Sequence, residues 1–346
     1  MINLKDFTFD ELNEFILSLG EKSFRTGQIY SWLHSGVESF DEMSNLSKDF
    51  RTKLSTVATV GGLKPIRHLV SRDGTEKILW ELADGETVET VVMQYKHGNS
   101  VCISTQVGCR MGCKFCASTI GGKIRDLSAG EILDEVIFAQ KVTGKKISNI
   151  VLMGIGEPLD NYDNVIKFLR NVGDSRGINI GYRHISLSTC GIVPKIYKLA
   201  EEKFPITLSV SLHAADDETR CGIMPVNKSY KIDELIKACR AYIEKTGRRI
   251  SFEYAMIAGV NDTTETAEKL HRLLKGMLCH VNLIPVNTVK ESGMSRSSEK
   301  AIYKFKAMLE AKGLNVTVRR ELGSDISASC GQLRRKNQAI TSEVVE

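Results

Sequence analysis

Three cysteines in the segment VGCRMGCKFCAST, Cys109, Cys113 and Cys116, stand at the spacing C-x-x-x-C-x-x-C. Thiolates this close in sequence can converge on one metal centre, and their number limits what that centre can be. A closed zinc site takes four ligands, yet no histidine follows nearby and the closest upstream thiol, Cys102, falls inside a strand-like segment. A cubane iron-sulfur cluster held by only three cysteines keeps one iron open to a reactant. Gly108 and Gly112 beside the thiols let the backbone wrap tightly around such a group.

The elements that must carry this loop follow an alternating pattern. From Ser100 onward the segments VCIST, NIVLM, HISLST, TLSVSLH, SFEYAMI and HVNLIP each precede a helical stretch, and NVTVRREL supplies a last strand. Ser128 and Glu131 form a capping box before Ile132, Leu133, Val136 and Ile137, a face suited to packing on a sheet. Six βα units with right-handed crossovers give the α/β class and a partial (βα)6 parallel barrel. In parallel barrels functional groups gather at the C-terminal ends of strands. Glu157 and Pro158 follow the second strand, Ser188 ends the third, Ser211, Leu212 and His213 end the fourth, and Asn287 follows the sixth. Taken singly, the serines read equally as ordinary strand-end residues, His213 as a core histidine and Asn287 as a turn former. Their common rim favours a shared binding role.

The remainder divides around the barrel. Residues 1–60 read as a small helical domain, with a Thr8 to Glu11 capping box ahead of Leu12, Phe15, Ile16 and Leu19, and a second helix through Ile29, Trp32 and Leu33. Lys22, Arg25 and Gln28 could present a polar face to RNA phosphates there, or simply a solvated one. Residues 61–98 form a β-rich bridge, with KILWEL and TVETVVMQY as a hairpin; the barrel spans 99–323, and 324–346 is a C-terminal loop and tail ending in polar sequence with Arg334, Arg335 and Lys336.

With 42% hydrophobic residues in 346, the chain can bury a full core. Lys and Arg number 47 against 42 Asp and Glu, so the +5 balance permits RNA binding without demanding it. The N-terminal sequence has no basic segment followed by an apolar run, and no apolar stretch reaches the roughly 18 residues of a membrane span. Nine cysteines, an odd number and tightly clustered in part, point to metal or redox chemistry in a reducing, cytoplasmic setting.

The cysteine spacing resembles that of the radical S-adenosylmethionine superfamily, and nearly the whole chain resembles one of its families, the RlmN RNA methyltransferases. The resemblance is carried by VETVVM, CISTQVGCRMGCKFCAST, MGIGEPLDN, LSTCG, SVSLHA, GVND, NLIPVN and ASCGQL. It implies a [4Fe-4S] cluster on Cys109, Cys113 and Cys116, whose open iron binds S-adenosylmethionine and cleaves it to a 5′-deoxyadenosyl radical. It also implies that Glu157, Pro158, Ser188, Ser211, Leu212, His213 and Asn287 contact that cosubstrate. The expected product is adenine methylated at carbon 2, in 23S ribosomal RNA and certain transfer RNAs. Because that carbon is electron-poor, a carbon radical must attack it. In the family pattern Cys330 takes a methyl group from a first S-adenosylmethionine, and a second generates the radical. Glu89 then matches the proton acceptor, and Cys102 the thiol that releases product as a transient disulfide with Cys330. Without the resemblance, Cys102 and Cys330 would read as packed thiols and Glu89 as a strand carboxylate. Cys190, Cys221, Cys239 and Cys279 match no catalytic position. Expected partners are the two RNAs and an electron donor such as flavodoxin or ferredoxin, with the enzyme a monomer.

Three rivals stand beside this. A Cfr-like enzyme would use the same apparatus at carbon 8 of adenine. A non-catalytic iron-sulfur or zinc RNA-binding module would need no converging rim. A thiol-disulfide oxidoreductase would usually place its thiols in C-x-x-C, which Cys102 and Cys330 do not.

Overall fold

The computed structural model describes residues 1–287, 289 and 292–333, so the polar tail with Arg334, Arg335 and Lys336 lies outside the described residues. At the N-terminus β1 (Ile2–Asn3) pairs in parallel with β2 (Ala58–Thr59), joining the ends of a segment that holds α1 (Phe9–Ser18), α2 (Phe24–His34) and α3 (Lys48–Val57). Helix α1 begins at the reciprocal Thr8–Glu11 capping box. Leu12, Ile16, Ile29 and Leu33 bury against Phe50 and Leu54 of α3, a helix whose N-cap Ser47 accepts the amide of Phe50 and which the apolar spacing alone did not single out. The bundle is bolted to α4 (Ala129–Thr143), which starts at the Ser128–Glu131 capping box. Lys5 forms an ion pair with Asp134 of α4, both sealed from solvent, and the Asp6 carboxylate accepts the Gly130 amide at 2.8 Å.

One sheet organises the rest. Its strands are β3 (Lys64–Val70), β4 (Glu76–Glu81), β5 (Thr87–Tyr95), β6 (Gly98–Cys102), then, beyond a separate ribbon of β7 (Gln106–Gly108) and β8 (Lys123–Asp126), β9 (Ile147–Leu152), β10 (Ile185–Thr189), β11 (Thr207–Ser211), β12 (Ile250–Met256), β13 (Cys279–Pro285) and β14 (Val316–Val318). The spatial order is β14-β13-β12-β11-β10-β9-β6-β5-β4-β3. Every pair from β6 to β14 is parallel, and the sheet stays open at both ends, as expected of a partial barrel. The crossovers run through α4, α5 (Tyr162–Gly173), α6 (Val193–Glu202), α7 (Asp217–Ile223) with α8 (Ile232–Thr246), α9 (Thr264–Leu274) and α10 (Glu299–Ala311). Leu152, Leu187, Val210, Phe252 and Leu283 from the strands bury against Leu133, Phe168, Ile196, Leu235 and Leu270 from the helices, each such side chain contributing about 1.5–3 kcal/mol.

Three features depart from the pattern read in the sequence. The hairpin at 76–95 is continuous with the barrel, because β5 pairs antiparallel with β6 and extends the same sheet. The cysteine segment does not follow the first barrel strand directly; β7 intervenes and pairs with β8, so the loop hangs from its own ribbon. The last strand is shorter than NVTVRREL, since after the Arg319 amide bonds to the Leu283 carbonyl at 2.8 Å the chain leaves the sheet.

Candidate active site

The ribbon closes at Gly108, which adopts φ +74°. A Cβ there would lie 2.0 Å from the Gly122 carbonyl oxygen, the same oxygen that accepts the Cys109 amide at 3.1 Å. Only glycine brings the two sides this near. Within the loop the Cys116 amide bonds to the Cys113 carbonyl at 3.1 Å, and the Lys114 amide to the Ile223 carbonyl at the end of α7 at 3.0 Å. Cys109, Cys113 and Cys116 all border one cavity of about 160 Å³. Three thiols bordering a shared space suit a polynuclear group with sulfur ligands. Burial pushes the Cys109 thiol up to about 12 and raises Cys113 and Cys116 as well, so binding iron would have to displace their protons.

Opposite the thiols lies the rim. Glu157, Pro158, Ser188, Ser211, His213 and Asn287 line the same cavity. Leu212 does not; its side chain is buried in the main core, and its carbonyl and amide bond to Arg220 and the Glu253 carbonyl. The Glu157 carboxylate is buried and accepts the amides of Leu159 at 3.0 Å and Cys190 at 2.7 Å, which ties the β9 and β10 loops together. Burial raises its pKa while those bonds oppose the rise. His213 sits at φ +57° and accepts the Ala255 amide on Nδ1 at 2.9 Å. Burial, with the Arg220 charge behind it, lowers its pKa to about 3, so the ring is neutral at physiological pH. It meets Phe115 from the cysteine loop in a T-shaped contact, centroids 4.8 Å apart.

A second cavity, of about 40 Å³, adjoins the first. Cys330, Asn287, Arg319 and Met153 border both, while Cys102 borders only the smaller one. Cys330 is therefore the thiol common to the two spaces. Its loop is pinned from the cysteine side, the Gly331 carbonyl accepting the Ala117 amide at 2.8 Å and the Leu333 carbonyl the Ser118 hydroxyl at 2.7 Å. Asn287 Nδ2 donates to the Cys330 carbonyl at 2.9 Å. All nine cysteines are free thiols. Burial, then the nearby Cys330 sulfur, raises the Cys102 thiol. Glu89, on β5, lines neither cavity; it is buried and paired with Lys77 at 3.2 Å. Strand alternation sets it on the face of Val91, Met93 and Tyr95, which do line the smaller cavity.

Several residues here are given no site role by the sequence. Arg319 touches both cavities, and its guanidinium is held cationic first by the Cys330 sulfur, with Glu253 behind it; its place at a strand end was the available signal. Cys190, read as a core or surface thiol, lines the larger cavity. Cys239 and Cys279 are buried core thiols and Cys221 is half-buried on α7.

Comparison with known proteins decides the kinship. The chain matches the profile described as "Ribosomal RNA large subunit methyltransferase N-terminal domain" over residues 2–60 and "Radical SAM superfamily" over residues 103–274. It is 57% identical over 337 residues to "Probable dual-specificity RNA methyltransferase RlmN" of Clostridium perfringens, covering 97% of each chain. The protein of the same description from Lachnospira eligens is 54% identical, again over 97% of each. The chain belongs to the RlmN family. Like other RlmN proteins it is a radical S-adenosylmethionine methyltransferase, with a [4Fe-4S] cluster and S-adenosylmethionine as its cofactors. The RlmN fold is shared with the crystal structure of a radical SAM methyltransferase from Sphaerobacter thermophilus, at a TM-score of 0.92 and 43% identity over 96% of this chain and 99% of that one. Among the described residues no RlmN helix here is long and apolar enough to cross a membrane.

Proposed function

We propose that this chain methylates carbon 2 of an adenine in 23S ribosomal RNA and in certain transfer RNAs, with Cys330 as the methyl carrier. The observation that carries the reading is the position of Cys330, at the junction between the cavity of Cys109, Cys113 and Cys116 and the cavity of Cys102. In this reading the three loop cysteines hold the cluster. When bound, the cluster supplies the electron that cleaves S-adenosylmethionine reductively. Glu157, Pro158, Ser188, Ser211, His213 and Asn287, all of which line the larger cavity, contact the cosubstrate, while Leu212, whose side chain is buried in the core, supports the rim from behind.

Cys330 accepts a methyl group by nucleophilic displacement on the sulfonium of S-adenosylmethionine, with the Arg319 guanidinium bordering the same two cavities. One hydrogen atom of that S-methyl group would pass to the 5′-deoxyadenosyl radical; once the resulting methylene carbon is bonded to carbon 2 of the base, Glu89 takes up the proton that carbon 2 carried, which requires it to leave Lys77 or act through it. Cys102 attacks the Cys330 sulfur and breaks its bond to the methylene carbon: that carbon gains the Cys102 proton and leaves with the base as its methyl group, the two sulfurs form a disulfide, and the surplus electron would return to the cluster. The base must be unpaired or flipped to reach Cys330. We assign residues 1–60 and Lys22, Arg25 and Gln28 to RNA contact, 61–98 to the sheet extension, 99–323 to the barrel and 324–346 to the carrier loop and tail. We further assign a cytoplasmic monomer reduced by a flavodoxin or ferredoxin.

The deciding experiment is an anaerobic assay of cluster-reconstituted protein with S-adenosylmethionine and protein-free 23S RNA or transfer RNA. Expected products are 5′-deoxyadenosine and 2-methyladenosine, identified by mass spectrometry of digested RNA. Methylation at carbon 8 would transfer the assignment to the Cfr-like activity, and absence of deoxyadenosine would overturn the reading.

A further inference from the structure

Beneath the rim lies a cation that the catalytic reading leaves unused. Arg220, on α7, is fully buried, with 0% of its surface exposed. Its Nε donates to the Leu212 carbonyl at 3.0 Å, and its Nη2 to the carbonyls of Cys190 at 2.7 Å and Ser211 at 3.1 Å. One planar fork thus binds the ends of β10 and β11 from below, a geometry that lysine cannot reproduce. Nη1 donates to Asn227 Oδ1 at 3.0 Å, and Asn227 Nδ2 in turn donates to the Asp217 carboxylate at 2.8 Å. Among the described residues Arg220 forms no direct ion pair, and Asp217 is joined to it through the Asn227 side chain.

The same helix abuts the cysteine loop. Beyond the Lys114 to Ile223 bond, Cys113, Cys190, Ile223 and Met224 pack in one apolar cluster, and a Cβ on Gly112 would come within 3.3 Å of Pro225. The Arg220 charge bears on the Cys190 and Cys113 sulfurs. Guanidinium stays protonated in proteins, so this is a fixed positive charge in a low-dielectric setting beside a proposed cluster ligand. Iron-sulfur potentials respond to net charge and hydrogen bonding around the cluster, and reduction adds one negative charge.

We infer that Arg220 is a positioning residue that uses one guanidinium to hold the rim carbonyls of Cys190, Ser211 and Leu212 and to raise the reduction potential of the cluster, with Asp217 opposing it through Asn227. The inference rests on the reading that Cys109, Cys113 and Cys116 hold that cluster.

The test is a potentiometric titration of anaerobically reconstituted protein followed by electron paramagnetic resonance. In Arg220→Gln the ratio of reduced to oxidised cluster at a fixed potential should fall about tenfold, a negative shift of about 59 mV for one electron. In Asp217→Asn the potential should move the other way. Arg220→Lys should keep a potential near the parent value yet bind S-adenosylmethionine several-fold more weakly by equilibrium dialysis, because the fork is gone. A merely structural role would not give opposite signs in the two charge variants. Equal potentials in Arg220→Gln and parent, or shifts of both variants in one direction, overturn the inference. Should Arg220→Gln fail to retain a cluster, Asp217→Asn decides alone, and an unchanged or lowered potential there is fatal. Iron analysis of Cys113→Ala separates this from failure of the underlying reading, since full iron retention in that variant would remove the cluster from this loop altogether.

Discussion

Chemistry at single residues turns on which sulfur meets which space. Cys330 borders both cavities and Cys102 only the smaller, and under the proposed roles the two thiols should fail differently. Cys330→Ala leaves no carrier, so methylated RNA should vanish while reductive cleavage of S-adenosylmethionine continues. Cys102→Ala keeps the carrier but lacks the releasing thiol, so a covalent protein-RNA adduct should accumulate, visible as a band of retarded mobility on denaturing gels. Free methylated RNA at the parent rate in Cys102→Ala would contradict the assignment. The loop cysteines and Cys330 could be picked out from sequence because thiol spacing and a family motif mark them. Arg319 and Arg220 could not, since an arginine acquires its meaning from the carbonyls and sulfurs that the fold brings to it, and neither lies in a spacing that chemistry alone dictates.

Elements convert these residues into a site, and the ribbon of β7 and β8 is the most exacting of them. The 2.0 Å approach at Gly108 leaves no room for a methyl group, whereas Gly121, at φ +86°, has nothing within 4 Å of where its Cβ would stand. Gly108→Ala should therefore push Gly122 away and lower the iron retained per chain severely. Gly121→Ala should show only the roughly 1–2 kcal/mol expected of left-handed strain. Iron analysis with thermal melts distinguishes the two, and equal retention in both would refute the steric argument. The alternation of apolar runs and helical faces made the parallel barrel legible, and capping boxes located α1 and α4. The ribbon escaped because three- and four-residue strands carry too little periodicity to register, and α3 because its buried face amounts to little more than Phe50 and Leu54.

At the level of the whole molecule, the N-terminal bundle and the barrel behave as one body through buried polar contacts. Burial raises the Asp134 carboxyl to about 6 against the pull of Lys5. Lys5→Met should leave that carboxylate stranded and cost about 3–5 kcal/mol in denaturant unfolding at pH 8. The loss should be smaller at pH 5, where Asp134 can take a proton, and Lys5→Met with Asp134→Asn should recover most of it. His34 provides a second reading of the same interface. Its ring lies tilted against Tyr30, centroids 4.2 Å apart, and accepts the Ile178 amide at 3.3 Å, and burial with the Lys5 charge lowers its pKa to about 4. A histidine depressed below its ordinary 6.5 stays neutral in the folded chain while the unfolded chain protonates. Its contribution is intact above pH 6.5 and falls away toward pH 4, with a slope approaching about 1.4 kcal/mol per pH unit. Unfolding of parent and His34→Asn at pH 7.5 and 5.5 should show a shallower acid loss in the variant. Because Lys5 fills the hole around Asp134, removing residues 1–60 would damage the barrel itself, and charge reversal at Lys22 and Arg25 is the cleaner probe of RNA contact.

The bonds from the Ala117 amide and the Ser118 hydroxyl to the carbonyls of Gly331 and Leu333 make the turn proposed to hold the cluster and the turn proposed to carry the methyl group direct neighbours. Iron starvation would therefore not merely remove a source of electrons. By slackening the first turn it would also unmoor the second, so that a chain short of metal would become a poor acceptor of methyl groups before any RNA arrived.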